Sequence, residues 1–420
     1  MGSLRERLSV PEFKNQREKQ EFLQSMVNGE VEVVPFMNGG MGVGITEKET
    51  LEAMDKARGI GVYSAALPGH RIAQEGVELQ TPRHLEEVNA EEIQRLSKYL
   101  RERFELSIRG VNFMEILPSY PSSRDEILKG GAFDILCVGA GMDEKLPARM
   151  AEANAELHKK EPGRSHYYWP IVSSVLAARA YYHRFAKRGK EPKSFMTPGG
   201  YYVELPIDPR GYEAGGHLGF PKNKPRNPDD FNPEAILAGI RKFDPKSPII
   251  YAGGIAYRNQ IQEVLDMGYS GVSMGTRILL TQESGMPNEI LKNKYLNPDI
   301  GVVVDQNSPT GYWSSRLDVP YTERTAQTIQ EAIDRCVNCV GDVCEFRKNR
   351  KDPENTAYCI YRDLIRARLG DEVGVFFSGG QVVVMRHDDL YHRNGGLYIP
   401  TIEEAVEFSF THDAPEIPAS

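Results

Sequence analysis

Two pairs of small residues follow neighbouring apolar runs in this chain of 420 residues. Gly253-Gly254 comes directly after the run 249–252, and Gly275-Thr276 comes directly after the run 271–274. Because glycine has no Cβ, backbone N–H groups at such turns can approach an anion closely. A helical pattern separates the runs, and the whole unit has the length of a strand–helix–strand crossover. The two turns together therefore predict a phosphate site.

A histidine in a glycine-rich stretch is the strongest candidate for acid–base chemistry. His217 lies in Glu-Ala-Gly-Gly-His-Leu-Gly, residues 213–219, where the flanking glycines leave the imidazole free of bulky neighbours. A side chain that titrates near neutral pH is a natural general base. Its spacing alone leaves open a second interpretation, in which His217 is an ordinary solvent-exposed loop residue.

Two further segments carry residues that could contact a ligand. Residues 39–44 contain four glycines, which predicts a loop whose backbone must come close to another group. Asn112 ends a predicted strand, where its amide could bind a ligand or simply cap a turn. The sequence contains no nucleophile elbow, Walker loop or His-Glu-x-x-His motif. This combination indicates that a bound cofactor supplies the electronic chemistry.

The elements that must position these residues form an alternating pattern of strands and helices. The predicted strands are 31–37, 60–65, 106–114, 134–138, 170–173, 201–205, 249–252 and 271–274. The predicted helices include 46–58, with a capping box at Thr46; 90–104, with Asn89 as N-cap; 146–158; 175–187; and 233–242. Eight strands close a (β/α)8 barrel, although an open doubly wound sheet can alternate in the same way. In a barrel, every candidate lies at the carboxyl ends of the strands, where active sites are built.

The sequence divides into three predicted regions. Residues 1–30 are polar and form an N-terminal arm, residues 31–280 form the barrel, and residues 281–420 form a C-terminal, mostly helical appendage. Within the appendage, residues 373–385 read as one late β-like run. A net charge of −8 argues against nucleic acid and anionic membranes as partners. The absence of a long apolar run or secretory signal predicts a cytoplasmic protein with no membrane partner.

Five motifs together resemble the nitronate monooxygenase (2-nitropropane dioxygenase-like) family, which is related to flavin-type enoyl-ACP reductases. They are residues 38–44, 110–112, 213–219, 252–255 and 274–277, which read NGGMGVG, GVN, EAGGHLG, AGGI and MGTR. The resemblance covers about residues 31–280 and implies a (β/α)8 enzyme that binds FMN. Asn38, and a longer loop before His217, depart from the usual family pattern.

The resemblance implies a role for each matching residue. Gly40, Met41 and Gly42 would contact the flavin ring through their backbone, and Asn112 would bind the flavin through its side chain. The residues implied in holding the FMN phosphate are Gly215, Gly216, Gly253, Gly254, Gly275 and Thr276. His217 would be the catalytic base beside the flavin.

The implied activity is oxidation of alkyl nitronates or nitroalkanes with oxygen. The main alternative is a reductase of the enoyl thioester type, in which NAD(P)H is a co-substrate. A third possibility is a non-catalytic flavin- or metal-binding partner protein. We expect a small-molecule substrate, and a homo-oligomer is compatible with the sequence.

Four of the five cysteines cluster late in the chain. They are Cys336, Cys339, Cys344 and Cys359, separated by two, four and fourteen residues, whereas Cys137 stands alone. The segment also resembles a C-terminal module found in one bacterial branch of the same family. The spacing could satisfy a four-thiolate zinc or iron–sulfur site, and reduced packing thiols are the alternative.

Overall fold

Eight parallel strands form the central barrel of the computed structural model, which describes residues 3–68, 82–187, 198–223, 228–352 and 355–415. The barrel strands are β1 (Met37–Asn38), β2 (Gly61–Ser64), β3 (Arg109–Met114), β4 (Ile135–Gly139), β5 (Tyr167–Val172), β6 (Tyr201–Glu204), β8 (Ile249–Ala252) and β9 (Gly271–Met274). Their order is β1-β9-β8-β6-β5-β4-β3-β2. A parallel bridge between Met37 and Ile60 joins the two ends and closes the barrel, as the sequence predicts.

Helices connect most of these strands. In the first part of the chain they are α1 (Leu4–Arg7), α2 (Gln16–Val27), α3 (Lys48–Lys56), α4 (Pro82–Arg103), α5 (Tyr120–Gly130), α6 (Leu146–Lys160), α7 (Val175–Lys187), α8 (Pro233–Arg241) and α9 (Arg258–Asp266). Two predicted helix starts are wrong. The Thr46 side chain bonds to Met41 instead of capping α3, whose N-cap is Glu47. Asn89 is buried inside α4, which begins at Pro82.

The N-terminal arm covers the end of the barrel where the strands begin. Leu23 and Met26 of α2 pack in one buried cluster with strand residues such as Ile135 and Trp169. Lys19 forms an ion pair with Asp134 at 3.0 Å, and both side chains are fully buried. Burial lowers the pKa of Lys19 to about 8, although Asp134 acts in the opposite direction. The candidate residues lie at the opposite end of the barrel, where the strands end.

A second sheet of three antiparallel strands joins the barrel to the appendage. Its order is β10 (Val302–Asp305), β11 (Tyr312–Leu317) and β7 (Gly216–Pro221). The stretch around His217, predicted as a loop, is therefore a strand that pairs with residues almost a hundred positions later. The prediction of a β-like run at 373–385 is wrong, because the segment contains the helix Val382–Met385 and an isolated bridge at Phe377.

The short helix α10 (Thr276–Leu279) directly follows β9, and the remaining elements belong to the appendage. The appendage helices are α11 (Asn288–Ile290), α12 (Ala326–Asp334), α13 (Glu345–Lys348), α14 (Ile360–Leu369), α15 (Val382–Met385) and α16 (Ile402–Thr411), and its hairpin strands are β12 (His392–Arg393) and β13 (Gly396–Leu397). A second buried cluster, including Tyr257 and Leu317, packs these elements against the barrel. In the described part of the chain, no helix has the length and apolarity to span a membrane.

Candidate active site

The loop after β1 touches two other strand ends. The Gly39 N–H donates to the Met274 carbonyl at 3.0 Å, and a Cβ built on Gly39 would lie 3.4 Å from the Gly275 Cα. A Cβ on Gly40 would lie only 2.3 Å from the Asn112 Cβ. Contacts this close exclude any side chain at position 40 unless the backbone shifts. Gly40, Asn112 and Gly275 therefore lie on one continuous rim.

The rest of this loop is held by a threonine. The Thr46 hydroxyl accepts from the Met41 N–H and donates to the Met41 carbonyl, each at 3.0 Å. A Cβ on Gly42 would meet Ala66, which follows β2, at 3.0 Å. These contacts fix the backbone of residues 41–46 beside the strand ends, while Gly40 and Met41 stay partly exposed.

The turn after β8 uses backbone angles that favour glycine. Gly253 has φ +101° and Gly254 has φ +68°. A Cβ on Gly253 would lie 3.0 Å from the Leu205 carbonyl oxygen, at the end of β6. The long loop after β6 reaches the same turn, because the Arg210 guanidinium donates to the Gly254 carbonyl at 3.0 Å. The extra length of this loop thus packs against the predicted phosphate turn.

The appendage contributes a glycine turn that the sequence analysis did not select. The Gly379 N–H donates to Thr276 Oγ1 at 3.2 Å, and the Gly380 N–H donates to the Glu213 carbonyl at 2.9 Å. A Cβ on Gly215 would lie 2.9 Å from the Gly379 nitrogen. The signal for this turn was present in the sequence, as the glycine pair in Ser-Gly-Gly-Gln at 378–381.

Two positions on the rim offer room or free polar groups. A Cβ on Gly275 would meet no atom within 4 Å. The Asn112 side chain is partly exposed and has no hydrogen-bond partner among the described residues. Open backbone beside one end of the rim and a free amide at the other fit a flavin nucleotide, whose phosphate and ring need contacts at separate places.

His217 occupies more crowded surroundings than a free loop would provide. It pairs with Ser314 of β11, and its Nε2 lies 2.6 Å from the Ser308 hydroxyl. Its ring packs edge-on against Phe377, with centroids 5.1 Å apart. Burial, with a smaller contribution from the nearby Lys222, lowers the pKa of His217 to about 4. At neutral pH the imidazole is therefore uncharged and can accept a proton.

The partner of His217 is itself fixed by the appendage. Ser308 is fully buried, and its hydroxyl also lies 2.9 Å from Thr310 Oγ1. A hydroxyl held on both sides can orient the imidazole. His217 comes two residues after Gly215, which directly precedes β7 and touches Gly379, so the histidine lies close to the glycine rim.

Glu204 is a titratable residue that sequence reasoning missed. It ends β6 opposite Ala252, immediately before the Gly253 turn. Burial raises the pKa of its carboxyl to about 7. Among the described residues, no hydrogen bond or ion pair engages its side chain. A carboxyl with a perturbed pKa at a barrel strand end is a typical feature of catalytic sites. A charged residue ending an otherwise apolar strand was the available signal.

A surface depression of about 1040 Å³ lies elsewhere. It is lined by Arg258 and Gln262 of α9 together with Phe410 of α16 and Asp413. These residues belong to the outer helices, and none of the candidate residues lines the depression. Its open shape and its distance from the strand ends make it a surface groove between helices.

Comparisons with known proteins agree with this geometry. Residues 208–338 match the family model "Nitronate monooxygenase", a segment that includes His217 and both glycine turns. No curated protein matches the chain in sequence.

Three solved structures share the fold. FabK from Thermotoga maritima is 18% identical, with 92% of this chain and 94% of that chain covered and a TM-score of 0.56. Nitroalkane oxidase from Streptomyces ansochromogenes is 17% identical, with 89% and 94% covered and a TM-score of 0.53. The enoyl reductase domain of MlnA from Bacillus amyloliquefaciens is 13% identical, with 94% and 95% covered and a TM-score of 0.56. These structures show the fold, and the match over residues 208–338 makes this part of the chain similar to nitronate monooxygenases.

Proposed function

We propose that the protein binds FMN on this rim and oxidises alkyl nitronates or nitroalkanes with oxygen. The observation that carries the proposal is the set of contacts that joins Gly39 to Gly275, Thr276 to Gly379 and Gly379 to Gly215, with His217 two residues after Gly215. The chemistry that FMN supplies when bound is electron transfer from the substrate to oxygen.

The residues of the rim divide by position into a ring side and a phosphate side. On the ring side, the backbone of Gly40, Met41 and Gly42 and the free amide of Asn112 would contact the flavin. On the phosphate side, the contacts would come from Gly215, Gly216, Gly253, Gly254, Gly275 and Thr276. The turn at Gly379 adjoins the phosphate side, because the Gly379 N–H donates to Thr276 Oγ1.

His217 would remove the α-proton of a nitroalkane. With Nε2 held by Ser308, the other ring nitrogen, Nδ1, carries the lone pair when Nε2 donates to the hydroxyl. The low pKa keeps this nitrogen unprotonated at neutral pH. A nitronate arrives already deprotonated, so its oxidation needs no base.

The runner-up is a reductase that uses NAD(P)H to reduce an enoyl thioester. Glu204 favours it, because a carboxyl with a pKa near 7 can donate a proton at neutral pH, and the similar MlnA domain is called an enoyl reductase. Anaerobic mixing separates the two functions. Flavin bleaching by a nitronate but not by NADH or NADPH supports the oxidase, whereas bleaching by a nicotinamide and not by a nitronate contradicts it.

A further inference from the structure

Two hydroxyl groups lead away from His217 on its Nε2 side. Nε2 of His217 lies 2.6 Å from Ser308 Oγ, and Ser308 Oγ lies 2.9 Å from Thr310 Oγ1. Ser308 is fully buried, whereas Thr310 is partly exposed. Two hydrogen bonds of ordinary length therefore connect the imidazole to a residue at the surface.

The groups around Ser308 determine the direction of these hydrogen bonds. The Thr310 N–H donates to Ser308 Oγ at 3.4 Å, and the Nε2–H tautomer of His217 donates to the same oxygen. A hydroxyl oxygen has two lone pairs and one proton, so both lone pairs are then used and the Ser308 proton is directed at Thr310 Oγ1. The Thr310 hydroxyl can in turn donate its own proton to water.

The backbone on both sides of Ser308 is held in place by the later part of the appendage. The Tyr358 N–H donates to the Asn307 carbonyl at 3.4 Å, and the Glu345 N–H donates to the Pro309 carbonyl at 2.9 Å. Proton transfer between hydroxyl groups requires that they stay within hydrogen-bond distance. These backbone contacts keep Ser308 at that distance from the imidazole.

A cation near His217 makes a charged imidazole unfavourable. Lys222 follows β7 and forms an ion pair with Glu345 at 2.6 Å. Burial, and to a smaller extent Lys222, lowers the pKa of His217 to about 4. An imidazole that takes a proton at Nδ1 gains a positive charge in these surroundings unless Nε2 releases its proton at the same time.

We infer that Ser308 and Thr310 form a proton relay for His217. The inference rests on the proposed function, in which Nδ1 removes the α-proton of a nitroalkane. As this C–H bond breaks and the proton binds Nδ1, the Nε2 proton passes to Ser308 Oγ, the Ser308 proton to Thr310 Oγ1 and the Thr310 proton to water. The electron pair of the C–H bond stays on the substrate, which becomes a nitronate. The substrate loses one proton, water gains one, and the imidazole stays uncharged while its tautomer reverses.

The relay requires one tautomer of His217, which can be measured without flavin or substrate. The measurement is NMR of the full chain with ¹⁵N-labelled histidine, in which the His217 signal is assigned by its loss in His217→Asn. Near neutral pH the wild-type chain should carry a proton on Nε2 and none on Nδ1. A proton on Nδ1 instead would overturn the relay, because that nitrogen could then not act as the base.

Turnover separates a relay from a purely structural role. Thr310→Val removes the hydroxyl with little change in shape, so nitroalkane turnover should fall at least about tenfold. Oxidation of the corresponding nitronate needs no base and should keep its rate. Thr310→Ser restores a hydroxyl and should recover most of the nitroalkane rate. Thr356→Val, which removes an exposed hydroxyl bonded to Asn307, is the matched control and should keep both rates.

Three kinetic results would overturn the relay and leave flavin-dependent nitronate oxidation standing. They are an unchanged nitroalkane rate in Thr310→Val, equal losses on the nitroalkane and the nitronate, and a wild-type chain that oxidises only the nitronate. A wild-type chain that binds FMN but oxidises neither substrate would contradict the proposed function itself, and the relay with it. Because the tautomer is measured on the wild-type chain, misfolding of a Thr310 variant does not remove the test.

Discussion

At the scale of single residues, surroundings decide which groups can act as a base. His217 has a pKa lowered to about 4 by burial, whereas Glu204 has a pKa raised to about 7 by the same cause. Opposite shifts in two titratable groups indicate different roles. The sequence identified His217 from its glycine neighbours, but it could not show Ser308, which comes from a distant segment and binds the imidazole.

Replacing His217 by Asn removes the proposed base while keeping a polar side chain. We expect turnover of a nitroalkane to fall by about 10² to 10⁴-fold, with nitronate turnover much less affected and the flavin still bound. His183→Asn, at an exposed position on α7, is the matched control. Oxygen consumption with both substrates measures the effect, and equal losses on the two substrates would argue against a role as base.

The pH profile of kcat/KM for a nitroalkane distinguishes His217 from Glu204. A base with a pKa of about 4 is unprotonated throughout pH 5 to 8, so the rate should be flat there and fall only as the pH approaches 4. A rate that instead falls below pH 7, and becomes flat in Glu204→Gln, would assign the base to Glu204.

At the scale of elements, local sequence patterns predicted strands correctly where a strand depends on its own residues. They failed where contacts with a distant segment determine the secondary structure. β8 and β9 have the predicted bounds, because continuous apolar runs between glycines determine a buried barrel strand. β7 was missed, since its glycine-rich sequence becomes a strand only by pairing with β11. The run 373–385 shows the opposite error, a β-like segment that was predicted but does not form. Its β-branched residues favour a strand, but Val382–Met385 forms a helical turn packed in a buried cluster.

The contact between the β1 loop and β3 can be tested by substitution on both sides. In Gly40→Ala the new Cβ would lie 2.3 Å from the Asn112 Cβ, so we expect a loss of about 1–3 kcal/mol in the free energy of unfolding. Asn112→Gly removes the opposing Cβ, so the double variant should recover part of the lost free energy of unfolding. Urea unfolding of the two single variants and the double variant measures these values. An unchanged loss in the double variant would contradict the contact.

At the scale of the whole molecule, one buried ion pair ties the barrel to the appendage. Arg277 follows the Gly275-Thr276 turn and lies 2.8 Å from Asp388, and both side chains are almost fully buried. The Tyr257 hydroxyl donates to the same carboxylate at 2.8 Å, and the guanidinium lies over its ring. The sequence assigned Arg277 to a family motif, but its partner lies more than a hundred residues away and could not be predicted.

Removing the carboxylate leaves a buried cation without its partner. We expect Asp388→Ala to lower the free energy of unfolding by about 3–5 kcal/mol. Asp413→Ala breaks the exposed pair with Arg258 and should cost less than about 1 kcal/mol. Denaturant unfolding gives both values, and similar small losses would show that the buried pair does not stabilise the docked appendage.

The central claim, a flavin phosphate against the turn after β9, is tested most directly by FMN titration of Gly275→Ala. The added Cβ meets no protein atom within 4 Å, so the fold should be unaffected, whereas a phosphate against the Gly275 backbone would be displaced. Gly301→Ala adds an equally tolerated Cβ on an exposed loop. We predict that Gly275→Ala binds FMN at least tenfold more weakly than the wild-type chain. Gly301→Ala should bind FMN as tightly as the wild-type chain does. Equal affinity in both variants and the wild-type chain would contradict the site.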